Sequence, residues 1–442
     1  MGHNAMSARR LPALLRALRH RNYRLFFIGQ SISLIGTWMT RLATGWLVWR
    51  LTQSPEMLGL VGFAGQIPTF LLGPFAGVWA DRLNRHRVLV ITQVLAMVQS
   101  FTLAALTISG VINIGEILGL QLLQGVINAF EMPTRQALLV ELIEDRADLP
   151  NAVALNSSMV NGARLIGPSI AGLMIAVVGE GWVFFADGAS YMAVIGTLLA
   201  VRILRRVQPA ARKRVLYELS DGVRYAFGFA PIRAILLLVA LLGVAGMPYT
   251  VLLPVIAART LGGGPHTLGF LMGAMGVGAL GGALYLASRT SVLGLGRLIP
   301  LAAGLFGGGL IALGLSRSLP LSLGLMVITG VGFMVHMAAS NTLIQTLVRE
   351  EMRGRVMAFY TVAFMGMAPF GSLLAGAVAA RLGAPETVLA GGVVCVLGAI
   401  TFATQLPALR AMVRPIYVQR GILPEVAQGL GSTTTMREEV GQ

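Results

Sequence analysis

The chain is 442 residues long, 55% hydrophobic and only 12% charged, with a net charge of +16. Soluble domains carry about 25% charged residues, so a water-soluble fold is excluded, and 55 glycines in apolar runs point to close helix packing rather than disorder. The positive charge first fits a nucleic-acid binder, and its placement excludes that. Of the 34 basic residues, Arg50, Arg259, Arg317 and Arg381 fall in loops on one side of a membrane arrangement and Arg41 and Arg164 fall within spans; all others fall on the opposite side. That asymmetry is the positive-inside bias and predicts both termini in the cytoplasm.

An N-terminal arm, 1–24, precedes the first apolar run. Runs of roughly 20 residues, each read as a spanning helix, then cover Leu25–Trp49, Met57–Ala80, Val88–Ser109, Ile114–Phe130, Ser157–Val178 and Trp182–Val201. After a break they resume at Ile235–Ala257, Leu268–Ala287, Leu298–Leu315, Leu319–Ala339, Met357–Ala380 and Thr387–Thr404. Helices are expected because they satisfy their own backbone polar groups in lipid. The predicted fold is all-α: a polytopic membrane protein of twelve transmembrane helices in two pseudo-symmetric six-helix halves, 25–201 and 234–406. A basic linker over 202–233 joins the halves, and a cytoplasmic tail, 407–442, follows. The linker carries Arg205, Arg206, Arg212, Lys213 and Arg214, then Tyr217, Leu219, Val223 and Phe227 at helical spacing, which predicts an amphipathic helix on the membrane surface. Basic loops predict contact with anionic lipid headgroups. No cleavage motif follows a short apolar stretch at the start, so the first helix reads as uncleaved.

Charges inside spans carry the functional signal, because each costs at least about 2.5–3.5 kcal/mol at the helix centre. Arg41 and Asp187 are predicted at similar depth, which points to an ion pair or shared polar pocket; the alternative is snorkelling of each to the outer interface. Glu131 and Arg135 are four apart and share a helical face. With Asp81 and Arg82 they would form a set that holds in one state and breaks in another, or else a static cluster. Polar residues facing a possible cavity are Gln30, Gln66, Asn128, Asn161, Asn341 and Gln345; aromatic ones are Trp38, Trp46, Phe63, Tyr249 and Phe333. His336 reads as a hydrogen-bonded core residue. The single cysteine, Cys395, builds no disulfide or thiolate metal site, and no metal is expected. A G-x-x-x-x-G-K-[ST] loop, H-E-x-x-H and G-x-S-x-G are all absent, so neither ATP hydrolysis nor enzymatic chemistry is expected.

The halves echo each other. Glu144-Asp145-Arg146 precedes Gly167-Pro168 in the first, and Glu350-Glu351 with Arg353 and Arg355 precedes Ala368-Pro369 and Gly371 in the second. Such repeats are expected in transporters whose halves rock about a midplane site.

The turn Gly77-Val78-Trp79-Ala80-Asp81-Arg82-Leu83-Asn84-Arg85-His86-Arg87 resembles the loop 2–3 signature of the major facilitator superfamily of secondary transporters, G-x-x-x-D-R-x-(G/N)-R-x-R. Asn84 stands where glycine is usual and tolerates the left-handed turn. The fifth span, with Arg164, Gly167, Pro168 and Gly172, resembles the antiporter motif G-x-x-x-G-P-x-x-G-G, with Ala171 in place of one glycine. Further matches are Arg21-Asn22-Tyr23-Arg24-Leu25-Phe26, Gly36-Thr37-Trp38-Met39, Pro133-Thr134-Arg135-Gln136-Ala137, the segment from Leu149 to Asn156, and Arg353-Gly354-Arg355-Val356. Together these resemble the bacterial exporter branch that includes the enterobactin exporter and macrolide-efflux proteins.

The resemblance implies rocking halves that export a small amphipathic molecule, drug or siderophore-like, across the bacterial inner membrane in exchange for protons. No cofactor is implied beyond the proton-motive force, and a monomer suffices. Gating falls to Gly77, Asp81, Arg82, Arg85, Arg87, Glu131, Arg135, Gly167, Pro168, Gly172, Arg353 and Arg355. Proton coupling falls to Glu131 or Asp187, since Gln121 stands where the family's R-x-x-Q-G motif has arginine. The substrate cavity draws on Gln30, Trp38, Arg41, Gln66, Asn128, Asn161, Arg164, Tyr249, Phe333 and Asn341. Gln121 keeps open an uncoupled or uptake permease of the same fold; a non-transporting membrane scaffold is the remaining alternative.

Overall fold

The computed structural model describes residues 13–201, 215–289 and 291–423, leaving aside the side chains of 13–14, 74, 77–82 and 215–221. The described residues form helices without strands. The first six crossings are α1 (Arg21–Thr52), α2 (Pro55–Arg82), α3 (Arg85–Ile108), α4 (Ile114–Glu141), α5 (Leu149–Val178) and α6 (Glu180–Ala200). Local chemistry sets their ends. Gln53 closes α1 in the left-handed conformation, with its N–H on the Trp49 carbonyl. Asn113 and Glu116 form a reciprocal capping box at the start of α4. Asn84 caps α3 by accepting from the Arg87 N–H, at φ −72° and extended ψ; it does not make the left-handed turn expected of it, because its side chain is used as an N-cap.

After the linker come α7 (Val215–Gly228), α8 (Ala230–Leu241), α9 (Tyr249–Val255), α10 (Pro265–Ala287), α11 (Leu295–Leu315) and α12 (Leu319–Leu347). The chain ends in α13 (Arg353–Thr361), α14 (Ala368–Leu382) and α15 (Ala384–Gln419). The seventh crossing is α8 and α9 and the eleventh is α13 and α14. Both are interrupted by π-helical turns, Leu242–Gly246 and Val362–Gly366, just before Pro248 and Pro369. Proline removes a backbone donor and clashes with the preceding turn, so the helix loosens there. The loosened turns face each other: a Cβ on Gly243 would lie 3.1 Å from the Ala363 carbonyl oxygen.

Among the described residues ten helical stretches are long and apolar enough to cross a membrane. The remaining two crossings, α1 with 32 residues and α4 with 28, have the length but carry more polar residues. Several helices outrun their apolar cores. Helix α4 runs past Phe130 to Glu141, α12 past Ala339 to Leu347, and α15 past Thr404 to Gln419, while α5 begins at Leu149 rather than Ser157. All four extensions lie at the basic end, and α4 and α15 continue there through Pro133, Pro407 and Pro415.

The halves meet through α5 against α10 and α2 against α14. Glycine permits both contacts: a Cβ on Gly172 would lie 2.6 Å from the Pro265 carbonyl oxygen and 3.0 Å from the Gly269 Cα, and one on Gly59 would lie 2.8 Å from the Gly376 Cα. Nearby, the Arg259 guanidinium lies 4.7 Å from the Trp49 ring centre. These contacts sit toward the charge-poor end. The larger apolar core accordingly runs across both halves, from Leu42 and Leu47 to Leu252 and Leu268. A second core, around Tyr23, Phe26, Leu89, Leu138 and Leu198, belongs to the first half alone and lies at the basic end. Among the described residues the halves thus share an apolar core toward the charge-poor end, and the first half's core at the basic end is its own.

The linker helix α7 packs one side on the second half. A Cβ on Gly222 would lie 3.0 Å from the Phe359 ring, and the Tyr225 hydroxyl accepts from the Arg349 N–H at 3.3 Å, so α7 covers the basic end of the second half. The packed side is that of Gly222, Tyr225 and Ala226, while Val223 and Phe227 of the expected apolar face stay 41% exposed. Arg205, Arg206, Arg212, Lys213 and Arg214 lie outside the described residues.

Candidate functional site

The site grows from the contact of α1 with α5. A Cβ on Gly167 would lie 2.7 Å from Trp38 Cβ and 2.8 Å from the Ile35 carbonyl oxygen, so only glycine lets the two backbones approach there. Pro168 follows within an unbroken helix, and one turn on Gly172 makes the contact with α10. The fifth-helix motif therefore faces two ways, toward α1 in its own half and toward α10 in the other.

Trp38, seated by Gly167, carries two guanidiniums. Arg41 lies 4.7 Å and Arg164 5.0 Å from its ring centre, within cation–π range. Arg41 is exposed, Arg164 is half-buried, and the buried Nε of Arg164 has no hydrogen-bond partner. Among the described residues neither arginine makes an ion pair.

The expected Arg41–Asp187 pair does not form, and Asp187 does not snorkel. Asp187 is 2% exposed. Its Oδ2 accepts from Thr40 Oγ1 at 2.8 Å and Ser100 Oγ at 3.0 Å, while Oδ1 has no hydrogen-bond partner. Successive residues point about 100° apart around a helix. Thr40 turns toward α3 and α6, and its neighbour Arg41 turns away from them into the gap.

Glu131 and Arg135 pair at 3.5 Å, as their spacing predicts. The side chains of Gly77, Asp81 and Arg82 lie outside the described residues. Arg85 is ion-paired with Glu141 at the end of α4, and Arg87 contributes its N–H to the Asn84 cap. Arg353 lies 3.9 Å from Glu350, and Arg355 is packed beside Gly222 of α7.

Several predicted cavity residues are not in the cavity. Gln30 is 2% exposed and packed inside the first half. Phe333 stacks between Phe306 and Phe364, with ring centres 5.7 and 5.9 Å away. Tyr249 is buried against Phe306 and donates its hydroxyl to the Met275 sulfur. These aromatics complete the core of the second half, where their area is best removed from water. Gln66, Asn128, Asn161 and Asn341 are only partly covered, and each is satisfied one turn away on its own helix: by the Gly62 carbonyl, Gln124, the Ser157 carbonyl and Gln345. Gln121 reaches Thr44 Oγ1 at 3.5 Å. His336 is buried, with Nδ1 3.2 Å from the Ile299 carbonyl oxygen.

Sequence reasoning missed a cluster at the basic end. Asp148, fully buried, meets Arg16, Arg19 at 2.8 Å and His20 at 2.9 Å. Burial pushes its carboxyl up, but the hydrogen bonds and charges of His20, Arg16 and Arg19 outweigh that and hold it below the usual carboxylate range. The signal was present in two family-like segments. Tyr23 donates to the Ala152 carbonyl at 2.9 Å, and Asn151 accepts from the Ala17 N–H at 2.8 Å, so Arg21–Phe26 and Leu149–Asn156 are one contact read in two places.

Two helical halves joined at one end, with a charged site at the waist, are the construction of a membrane transporter. Residues 13–422 match the family described as transmembrane secretion effector, MFS_3, and the chain belongs to this family of the major facilitator superfamily. It is 28% identical to the staphyloferrin A transporter of Staphylococcus aureus over 354 residues, 79% of this chain and 87% of that one. It is 27% identical to the multidrug efflux pump Tap of Mycolicibacterium fortuitum over 390 residues, 85% of this chain and 93% of that one. Its fold is similar to that of a bacterial homologue of the human lysosomal transporter Spinster, in an inward-facing, unoccupied conformation. The TM-score is 0.70 at 14% identity, covering 89% of this chain and 98% of that one.

Proposed function

We propose that the protein sits in the bacterial cytoplasmic membrane with both termini in the cytoplasm. There, as a monomer, it exports a small amphipathic molecule by alternating access, in exchange for protons and without ATP. The observation that carries the reading is Asp187. It is a buried carboxyl held only by the neutral hydroxyls of Thr40 and Ser100, with Oδ1 left without a partner. Such a carboxyl keeps its hydrogen bonds as a carboxylate and has a free oxygen for a proton. Thr40 is adjacent to Arg41, so Asp187 is linked through α1 to the wall of the gap. Efflux-pump relatives support the outward direction. Glu131 is already paired with Arg135 and is the weaker carrier. The absence of arginine at Gln121 favours an uncoupled permease as the second reading.

Anionic lipid headgroups are proposed at the basic end. A cavity of about 340 Å³ there, with apolar walls from Leu343, Leu347, Phe402 and Leu406, is rimmed by Arg297, Arg410 and Arg414.

The test uses inverted membrane vesicles with an imposed pH gradient and a pH-sensitive dye. Siderophores, macrolides and lipophilic drugs are added in turn, to the natural protein and to Asp187→Asn. Substrate-dependent collapse of the gradient that disappears in Asp187→Asn is the expected outcome. Collapse of equal size in both proteins removes Asp187 from the proton path.

A further inference from the structure

We propose that the guanidiniums of Arg41 and Arg164 over Trp38 form an anion-binding site, and that the exported molecule is anionic, seating a carboxylate-like group there with its apolar part on the indole. The cargo half of this statement rests on the export reading above; the anion site does not.

Charge balance leads to it. An arginine at mid-helix is unfavourable by at least about 2.5–3.5 kcal/mol on insertion scales, and two beside one ring also repel each other. Among the described residues no carboxylate pairs with either arginine. Asp187 is held by Thr40 and Ser100, Glu131 by Arg135, and Glu180 by Arg50 at 2.8 Å. The Trp38 face stabilises a cation by about 0.5–2 kcal/mol but neutralises nothing. The buried Nε of Arg164 has no acceptor. A bundle that keeps two free guanidiniums at its waist lacks an anion supplied from outside.

Geometry narrows the class. Arg41 is exposed, so the site is open to the gap between the halves. A guanidinium is a planar fork of donors that matches a carboxylate with two parallel hydrogen bonds. The indole beside it offers an apolar face, which fits an aromatic or aliphatic acid better than a bare inorganic ion. The position also suits cargo. Arg164 lies about one turn before Gly167, which seats Trp38. An occupant thus touches α1 and α5 close to where α5 meets α10.

Tryptophan quenching reads the site without transport. Iodide, caesium and acrylamide are titrated at constant ionic strength into the detergent-purified full chain and its Trp38→Phe variant, and the difference reports Trp38. With each quenching constant divided by that for free N-acetyltryptophanamide, iodide is expected to quench Trp38 about threefold or more better than caesium. The Arg41→Gln/Arg164→Gln variant is expected to lose that excess while acrylamide quenching stays unchanged. Equal quenching by iodide and caesium in the natural chain overturns the anion site, and so does a Trp38 that acrylamide cannot reach. The cargo class is read by protection against iodide, using 1-naphthaleneacetate and 1-naphthaleneacetamide. Protection by the acid alone is expected; equal protection by the amide overturns an anionic cargo. A vesicle assay without substrate response, beside an intact iodide pattern, would strike the export reading alone.

Discussion

Gly172→Ala tests whether the contact of α5 with α10 holds the charge-poor end shut. The added Cβ would lie 2.6 Å from the Pro265 carbonyl oxygen and 3.0 Å from the Gly269 Cα. Both obstacles are backbone, so no rotamer change relieves them and the helices must separate. Overpacking of this kind costs about 1–3 kcal/mol. Applied to the closed state alone, it shifts the closed-to-open ratio about 5- to 150-fold. The reporter is Ser169→Cys, on α5 against Gly273 of α10, in a Cys395→Ser background. A membrane-impermeant maleimide is applied to intact cells, where the proposed topology exposes the charge-poor end. Labelling is expected to be about fivefold faster or more in Gly172→Ala. Gly162→Ala, with nothing within 4 Å of the new Cβ, is expected to change nothing. An unchanged labelling rate in well-folded Gly172→Ala would refute the view that this contact closes the bundle.

Gly59→Ala, whose Cβ would meet the Ser372 carbonyl oxygen at 2.6 Å, should open the same end through α2 and α14 and raise the same labelling. Asp148→Asn should lower the melting temperature at neutral pH. Because the folded state holds this carboxyl below its usual range, its contribution is complete above the unfolded value, about pH 4, and is lost as pH falls through the folded value. The melting-temperature gap between the two proteins should therefore narrow on acidification; a gap that widens would contradict the ion cluster. Arg85 and Glu141 are each about 30% exposed, at 29% and 30%, so a double-mutant cycle on melting should return a coupling of only about 0–1 kcal/mol.

Much of the architecture was legible in the chain. Lipid demands helices of a certain length, so apolar run length predicted the crossings and the all-α fold. Spacing within one helix was equally legible: Glu131 and Arg135 pair because residues four apart always share a face. The ends were less so, because helices such as α4 and α12 continue into water after the apolar signal stops. The fifth-helix motif stood out in the sequence, yet its use came from packing, with Gly167 set against Trp38 and Gly172 against Gly269.

What only the tertiary structure decided is which face of each helix meets which neighbour. Depth along a helix follows from counting residues, and it predicted that Arg41 and Asp187 lie at similar levels. Azimuth does not follow from counting, since it depends on how six helices pack around one another. One residue's rotation sends Thr40 to Asp187 and Arg41 to Trp38, and the same choice turns Tyr249 and Phe333 into the core of the second half. The sequence by itself determined a membrane bundle with charges at its waist; packing alone decided that Asp187 is held by hydroxyls and that two arginines share one indole.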